Sequence, residues 1–392
     1  MNFKEVFTKL WEGSGIAGFG VKGGGLAAIM IIIACFFLFL GIKKKFEPLL
    51  LVGIAFGMLL TNLPNSELFH EGLWNQKTVD YARVLREGGL LDILYIGVKT
   101  GIYPCLIFMG VGAMTDFGPI LSDPKSLILG AAAQGGIYLV LILSIVLGFN
   151  GKEAASISII AGADGPTAIF TTKTLAPQLL APIAVAAYSY MALIPLIQPP
   201  IMRMLTTKKE KLVEMKMKRK ASKREKIIFP IFVTILAVLI LPSVAPLIGC
   251  LMFGNLLKEC GVTERLSDTV QNALMNTVTL FLGISVGATA TAGAFLTEET
   301  LKIVALGLLG FILSTVCGVL MGKFLYLVSK GKINPFIGAA GASAVPMAAR
   351  VANTLGQKYN KKNYLLMHAM GPNVAGVIGS AVAAGYLMSV FG

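Results

Sequence analysis

Histidine and charge are both scarce. Only two His occur in 392 residues, His70 and His368, which excludes a histidine-rich metal site. Asp, Glu, Lys and Arg make up 14% of the chain, where a soluble globular domain carries about a quarter. The five Cys (Cys35, Cys105, Cys250, Cys260, Cys317) include no Cys-x-x-Cys pair, and four lie in or beside apolar stretches, so structural, reduced thiols are expected. No glycine run follows a strand in a Walker or dinucleotide pattern, so no nucleotide site is assigned. The start carries Lys4, Glu5, Lys9 and Glu12 ahead of a mildly amphipathic run, unlike a cleavable signal peptide.

What is abundant is apolar. Hydrophobic residues make up 55% of the chain and Gly contributes 44 positions, against a usual glycine share of about 7%. A large soluble α/β protein would need polar helix faces between its apolar runs, and these are mostly missing. The composition instead predicts an all-α, multi-pass membrane protein, with apolar segments near the ~20 residues that span hydrocarbon. They fall at about 25–42, 46–63, 91–113, 125–148, 154–170, 177–202, 228–252, 273–293, 301–328, 334–349 and 364–390. Residues 64–90 read as an extramembrane loop or surface helix.

The net charge of +14 is concentrated. Residues 203–226 hold eleven Lys or Arg against three Glu. The run has no interleaved aromatics and lies between apolar blocks, so it reads as a cytoplasmic loop under the positive-inside rule and not as a nucleic-acid site. It can also touch anionic lipid or dock soluble partners. Lys43–Lys45 should be cytoplasmic as well.

Two segments, 154–170 and 334–349, are short, rich in Gly, Ala and Ser, and carry Pro166 and Pro346. Such segments mark discontinuous helices, whose freed backbone groups must face protein, water or an ion. An internal repeat accompanies them: FMGVGAM (108–114) and FLGISVGA (281–288) each precede a broken segment by about 55 residues. The expected organisation is therefore N-terminal segments and loop (1–90), a first repeat (91–202), the basic loop (203–227), and a connecting helix with a second repeat (228–390). An odd number of crossings in each half would make the repeats inverted.

The polar groups gather at these breaks. Asp164 lies in Gly162-Ala163-Asp164-Gly165-Pro166-Thr167. A buried carboxylate needs a partner, a proton or a cation. With freed carbonyls and the Thr167 hydroxyl it offers the oxygen ligands that Na⁺, a hard ion, prefers; proton relay and a plain Asp-Gly turn are the other readings. The matching region holds Asn334, Gly338, Ser343 and Arg350. Arg350 suits an anion clamp, or simply a helix C-terminus. Tyr190 is either an interfacial aromatic or a proton relay. Asn373 can cap a segment or ligate an ion. Asp116 reads as a mouth residue, and Gln134 as a helix-to-helix hydrogen-bonding amide.

FMGVGAMTDFGPIL (108–121), GADGPTAIF (162–170), NPFIGAAGASAVPMAAR (334–350) and MHAMGPNVAGVIGSAVAAG (367–385) occur in order along the chain. With them the sequence resembles, over nearly its whole length, the β subunit of the sodium-pumping, biotin-dependent oxaloacetate, methylmalonyl-CoA and glutaconyl-CoA decarboxylases. The resemblance implies an elevator-transporter-like fold of two repeats in a bacterial inner membrane. It implies removal of CO2 from carboxybiotin carried by a partner, coupled to Na⁺ export with a proton consumed. It further implies Asp164 as the key acid, Tyr190 in proton supply and Na⁺ release, and Asn334, Gly338, Ser343, Arg350 and Asn373 as the remaining site positions. Na⁺ is then sought at Asp164, Thr167, Asn334, Gly338, Ser343 and Asn373, and carboxybiotin at Arg350 and Asn373. The implied partners are a carboxyltransferase α subunit, a biotin carrier protein or domain, and a small membrane γ/δ subunit, with β assembling as a homotrimer. A Na⁺-coupled carboxylate transporter of similar architecture is the alternative.

Overall fold

The computed structural model describes residues 3–20, 23–45, 47–74, 79–215, 219–342 and 347–392. All regular secondary structure among them is helical, as expected of a chain too apolar to leave its backbone unpaired in lipid. The first half contains α1 (Gly24–Lys43), α2 (Pro48–Asn62), α3 (Leu90–Thr100), α4 (Ile102–Met114), α5 (Lys125–Ala133), α6 (Gly135–Val146), α7 (Gly151–Ser158), α8 (Gly165–Leu175) and α9 (Leu180–Leu205). The second contains α10 (Lys223–Ile240), α11 (Ala245–Glu259), α12 (Met275–Ala288), α13 (Glu298–Val328), α14 (Met347–Tyr359) and α15 (Leu366–Phe391).

Four helical stretches among the described residues are long and apolar enough to cross a membrane: α1, α5 with α6, α13 and α15. Counting each strongly bent pair as one span gives six. One pair is α3 and α4, which meet at 64°, because Gly101 adopts φ +87° and ends the helical path. The other bend, of 62°, divides Pro177–Met191 from Leu193–Leu205. The apolar block at 228–252, expected as a single segment, is two helices. Pro242 lacks an N–H and forces Leu241 out of the helical region, to φ −141° and ψ 85°.

Helix starts follow the local sequence. Asn150 with Glu153 opens α7, and Ser222 with Glu225 opens α10, each as a reciprocal capping box. Thr297 caps α13 by accepting from the Thr300 amide at 3.2 Å.

Close glycine contacts join the halves crosswise. A Cβ on Gly57 of α2 would meet the Ile284 carbonyl of α12 at 2.1 Å, and one on Gly287 the Ile54 carbonyl at 2.0 Å. A Cβ on Gly254 of α11 would meet the Met109 carbonyl of α4 at 1.9 Å, and one on Gly112 the Leu251 carbonyl at 1.8 Å. The two pairings use the same three-residue spacing on each helix. Small residues let helix backbones approach where no hydrophobic effect drives them together.

Two polar ties fix the connections. The fully buried Asp92 carboxylate accepts from Trp74 Nε1 at 2.6 Å and the Gly89 amide at 2.9 Å, and pairs with His70 Nδ1 at 2.7 Å. It thereby ties His70, Trp74 and Gly89 to α3. The basic run is held at its start: Asn334 and Asn363 both donate to the Val213 carbonyl, at 3.0 and 2.9 Å. Lys323 donates to the Leu205 carbonyl at 2.8 Å.

Candidate functional site

The first broken segment is built from α7, a 3-10 turn over Ile159–Gly162, and α8. Ala163 between them is left-handed at φ +53°, a strained conformation for a residue with a Cβ. Asp164 follows in extended geometry as the N-cap residue of α8, with Pro166 in the first turn. Proline suits that position, since the missing N–H has no partner there anyway.

Asp164 is 3% exposed. Its side chain does not cap α8. Instead Oδ2 accepts from Thr167 Oγ1 at 2.5 Å and from Ser380 Oγ at 2.8 Å. Thr167 lies one turn along α8, while Ser380 comes from α15. The result is a buried cluster of hard oxygen atoms from both halves of the chain.

The second broken segment is a 3-10 stretch, Pro335–Ala342, followed by α14. Three consecutive carbonyls along it each receive a side-chain amide from a different helix. Gln198 of α9 donates to Ala339 at 3.1 Å, Asn373 of α15 to Ala340 at 3.2 Å, and Gln134 to Gly341 at 3.3 Å. All three amides are buried. Lipid cannot satisfy these carbonyls, so neighbouring helices do. Asn373 precedes Ser380 by two turns, so both belong to one face of α15.

The expected site residues do not all converge on Asp164. Thr167 does. Asn373 contacts the second broken segment. Asn334 turns to the basic run, donating to Val213 while its Oδ1 accepts from the Phe336 amide at 3.0 Å. Gly338 has a packing reason, since a Cβ there would lie 2.0 Å from the Gly318 carbonyl of α13. Ser343 lies outside the described residues. Tyr190 donates its hydroxyl to the Val304 carbonyl and packs near Phe311. Arg350 is exposed on α14 and lines a cavity of about 410 Å³ with Arg203, Lys358, Pro195 and Pro199.

Three residues in the neighbourhood carried little or no signal in the sequence. Ser380, in a small-residue run, reads as packing. Tyr188 lies with its ring against Gly165, where a Cβ would be 2.2 Å away, and its buried hydroxyl has no partner among the described residues. Gln134 reads as an ordinary interhelical amide.

A family model described as the Na⁺-transporting oxaloacetate decarboxylase beta subunit matches residues 26–391. The chain is 58% identical to the methylmalonyl-CoA decarboxylase subunit beta of Propionigenium modestum, over 95% of this chain and 96% of that one. It is 52% identical to the glutaconyl-CoA decarboxylase subunit beta of Acidaminococcus fermentans, over 100% and 99%. It is 49% identical to the oxaloacetate decarboxylase beta chain of Klebsiella pneumoniae, over 98% of each.

Proposed function

The chain belongs to the family of Na⁺-transporting decarboxylase beta subunits, and we propose that it releases CO2 from carboxybiotin presented by a partner and couples that release to Na⁺ export. The observation that carries the proposal is the Asp164 cluster: a buried carboxylate at a helix break, held by hydroxyls from α8 and α15. Its oxygen donors fit Na⁺, which is the cargo here.

Carboxybiotin is an N-carboxylated anion. On decarboxylation the N–CO2⁻ bond breaks, CO2 departs, and the ureido nitrogen keeps the electron pair and takes a proton. Na⁺ arriving beside Asp164 favours the charged carboxylate and so expels any proton held there. That proton is available to the biotin nitrogen, and one set of charges then links ion entry to chemistry. The linkage is reciprocal: whatever Na⁺ does to proton affinity, the proton does to Na⁺ affinity. Tyr190 is kept as a candidate for passing the proton and releasing the ion. The cavity beside Arg350, with Arg203 and Lys358 on its wall, suits the carboxylated ring because guanidinium groups grip planar anions.

In this reading Asn334, Gly338, Ser343 and Asn373 of the second broken region serve ion passage alongside Asp164 and Thr167. The equal glycine spacing in both halves is in keeping with two related repeats, which this reading takes as inverted and moving as an elevator in a bacterial inner membrane. The complex would hold a carboxyltransferase α subunit, a biotin carrier, a small membrane γ/δ subunit and three copies of this chain. The relatives named for three different acyl substrates are of comparable identity to this chain, which supports a membrane chain that meets carboxybiotin and not the acyl substrate.

The test is CO2 release from free carboxybiotin by the chain with its membrane partners in liposomes, with and without Na⁺, for wild type and Asp164→Asn. Na⁺-stimulated release that the variant loses is expected. Na⁺-dependent uptake of an organic carboxylate with no CO2 release would replace this reading with that of a secondary transporter.

A further inference from the structure

Gln134 stands at the joint between α5 and α6 and is 3% exposed. Its Nε2 donates in two directions, to the Gly341 carbonyl at 3.3 Å and to the Gly376 carbonyl at 3.2 Å. These bonds fix which end of the amide is nitrogen, because the flipped amide would set its oxygen against two carbonyl oxygens. They also fix where Oε1 points. A Cβ on Gly162 would lie 3.2 Å from Oε1 and 3.2 Å from the Ser380 Cβ. The oxygen therefore looks into the space between the first broken segment and α15, where Ser380 meets Asp164.

Among the described residues Oε1 receives no hydrogen bond. An unpaired amide oxygen in a protein interior is expensive, and such an atom calls for a partner. The Ser380 and Ile137 side chains border that space, and the Ser380 hydroxyl, like that of Thr167, donates to the Asp164 carboxylate. A small cation there would meet the unpaired amide oxygen and the oxygens of the Asp164 cluster together. The amide oxygen adds a ligand without adding charge, and neutral oxygens tune cation selectivity through number and geometry.

We infer that Gln134 Oε1 is a direct ligand of the Na⁺ carried at Asp164, beside the oxygens of Thr167 and Ser380. The inference rests on the reading of Asp164 as the Na⁺ site. It adds a mechanical consequence: the same amide whose oxygen holds the ion holds, through its nitrogen, a carbonyl of the second broken segment and one of α15. Loading of the ion is thereby felt by both.

Binding of ²²Na⁺ to the purified membrane complex tests this, with Gln134→Met, Gln134→Glu and Gln198→Met compared. Gln134→Met conserves volume and removes both ends of the amide. Gln134→Glu keeps an oxygen but loses the clamp on Gly341 and Gly376. Gln198→Met removes a similar clamp, on Ala339, from beyond the bend in α9. Loss of one ligand should weaken Na⁺ binding on the order of tenfold in Gln134→Met. Gln134→Glu should bind Na⁺ at least as well as wild type, Gln198→Met should bind as wild type, and the Li⁺ to Na⁺ affinity ratio should change only in the Gln134 variants. Equal loss in Gln134→Met and Gln134→Glu, or in Gln134→Met and Gln198→Met, makes the residue a clamp and overturns the inference, as does unchanged binding in Gln134→Met. If Gln134→Met does not fold, the retained or lost binding of Gln134→Glu decides alone. Wild type that binds no Na⁺ overturns the Asp164 reading itself, a result distinct from any of these.

Discussion

Ser380 donates its hydroxyl to Asp164 at 2.8 Å across 216 positions of sequence. The bond joins the break between α7 and α8 to the final helix, and the same Ser380 hydroxyl also lies 2.9 Å from the Val377 carbonyl of its own helix. Ser380→Ala keeps the fold of a run of small residues but strips one oxygen from the Asp164 cluster. Hydrogen bonds to charged groups contribute about 1.5–3 kcal/mol. The Na⁺ concentration giving half-maximal CO2 release should therefore rise about tenfold or more, with the carboxybiotin dependence unchanged. A Na⁺ titration of liposome-embedded complex checks it; equal shifts in both titrations would mean a general structural loss.

Tyr188 presents the opposite balance of stability and activity. Its hydroxyl is buried beside Gly165 without a partner among the described residues, so Tyr188→Phe should stabilise the complex by about 1 kcal/mol. If that hydroxyl serves the carboxylate next to it, CO2 release should fall while the melting temperature rises. Tyr190→Phe should instead lower stability modestly, because its hydroxyl is bonded to the Val304 carbonyl. Melting curves and rates on the same preparations separate the two tyrosines.

Gly57→Ala and Gly254→Ala should cost about the same, since each Cβ would drive into a backbone carbonyl at 2.1 or 1.9 Å. Overpacking of this kind costs about 1–3 kcal/mol. Thermal unfolding in detergent should show both variants destabilised and Gly249→Ala, which meets nothing within 4 Å, close to wild type. A large difference between the first two would argue against equivalent roles for the α2–α12 and α4–α11 pairs.

The basic run should loosen in acid. Half-burial pushes the Asp116 carboxyl up, but Lys226 at 2.8 Å and the Gly118 amide outweigh this and hold it below the usual carboxylate range. Burial pulls the Lys226 ammonium down, yet Asp116 and Glu259 outweigh that and raise it. A depressed carboxyl gives stability above its unfolded value and loses it as pH falls through the folded one. A raised ammonium loses its contribution only as pH climbs past the lysine range. Their tie is thus intact at neutral pH and lost on acidification, and a pair this exposed contributes only about 0.2–1 kcal/mol. Limited trypsin cleavage between 203 and 226, after pulses at falling pH, should accelerate in wild type and respond less in Asp116→Asn, where only Glu259 still faces Lys226.

The sequence by itself determined the membrane class, the basic run, the two broken segments and Asp164, because each is a local signal: hydropathy over a span, charge along a stretch, or Gly and Pro within an apolar block. It also carried the glycine spacing of α2, α4, α11 and α12, though not which helices those glycines would join. The split at Pro242 was readable from the proline but masked by continuous hydropathy on both sides. Only the tertiary structure decided the partners. It set Ser380 against Asp164, turned Asn334 to Val213 and Tyr190 to Val304, and laid Gln198, Asn373 and Gln134 on three successive carbonyls. A hydroxyl or an amide in an apolar helix reads the same whether it serves packing or a site. What separates the two is which freed backbone group or charge lies within hydrogen-bond reach, and that is fixed by helices brought together from distant parts of the chain.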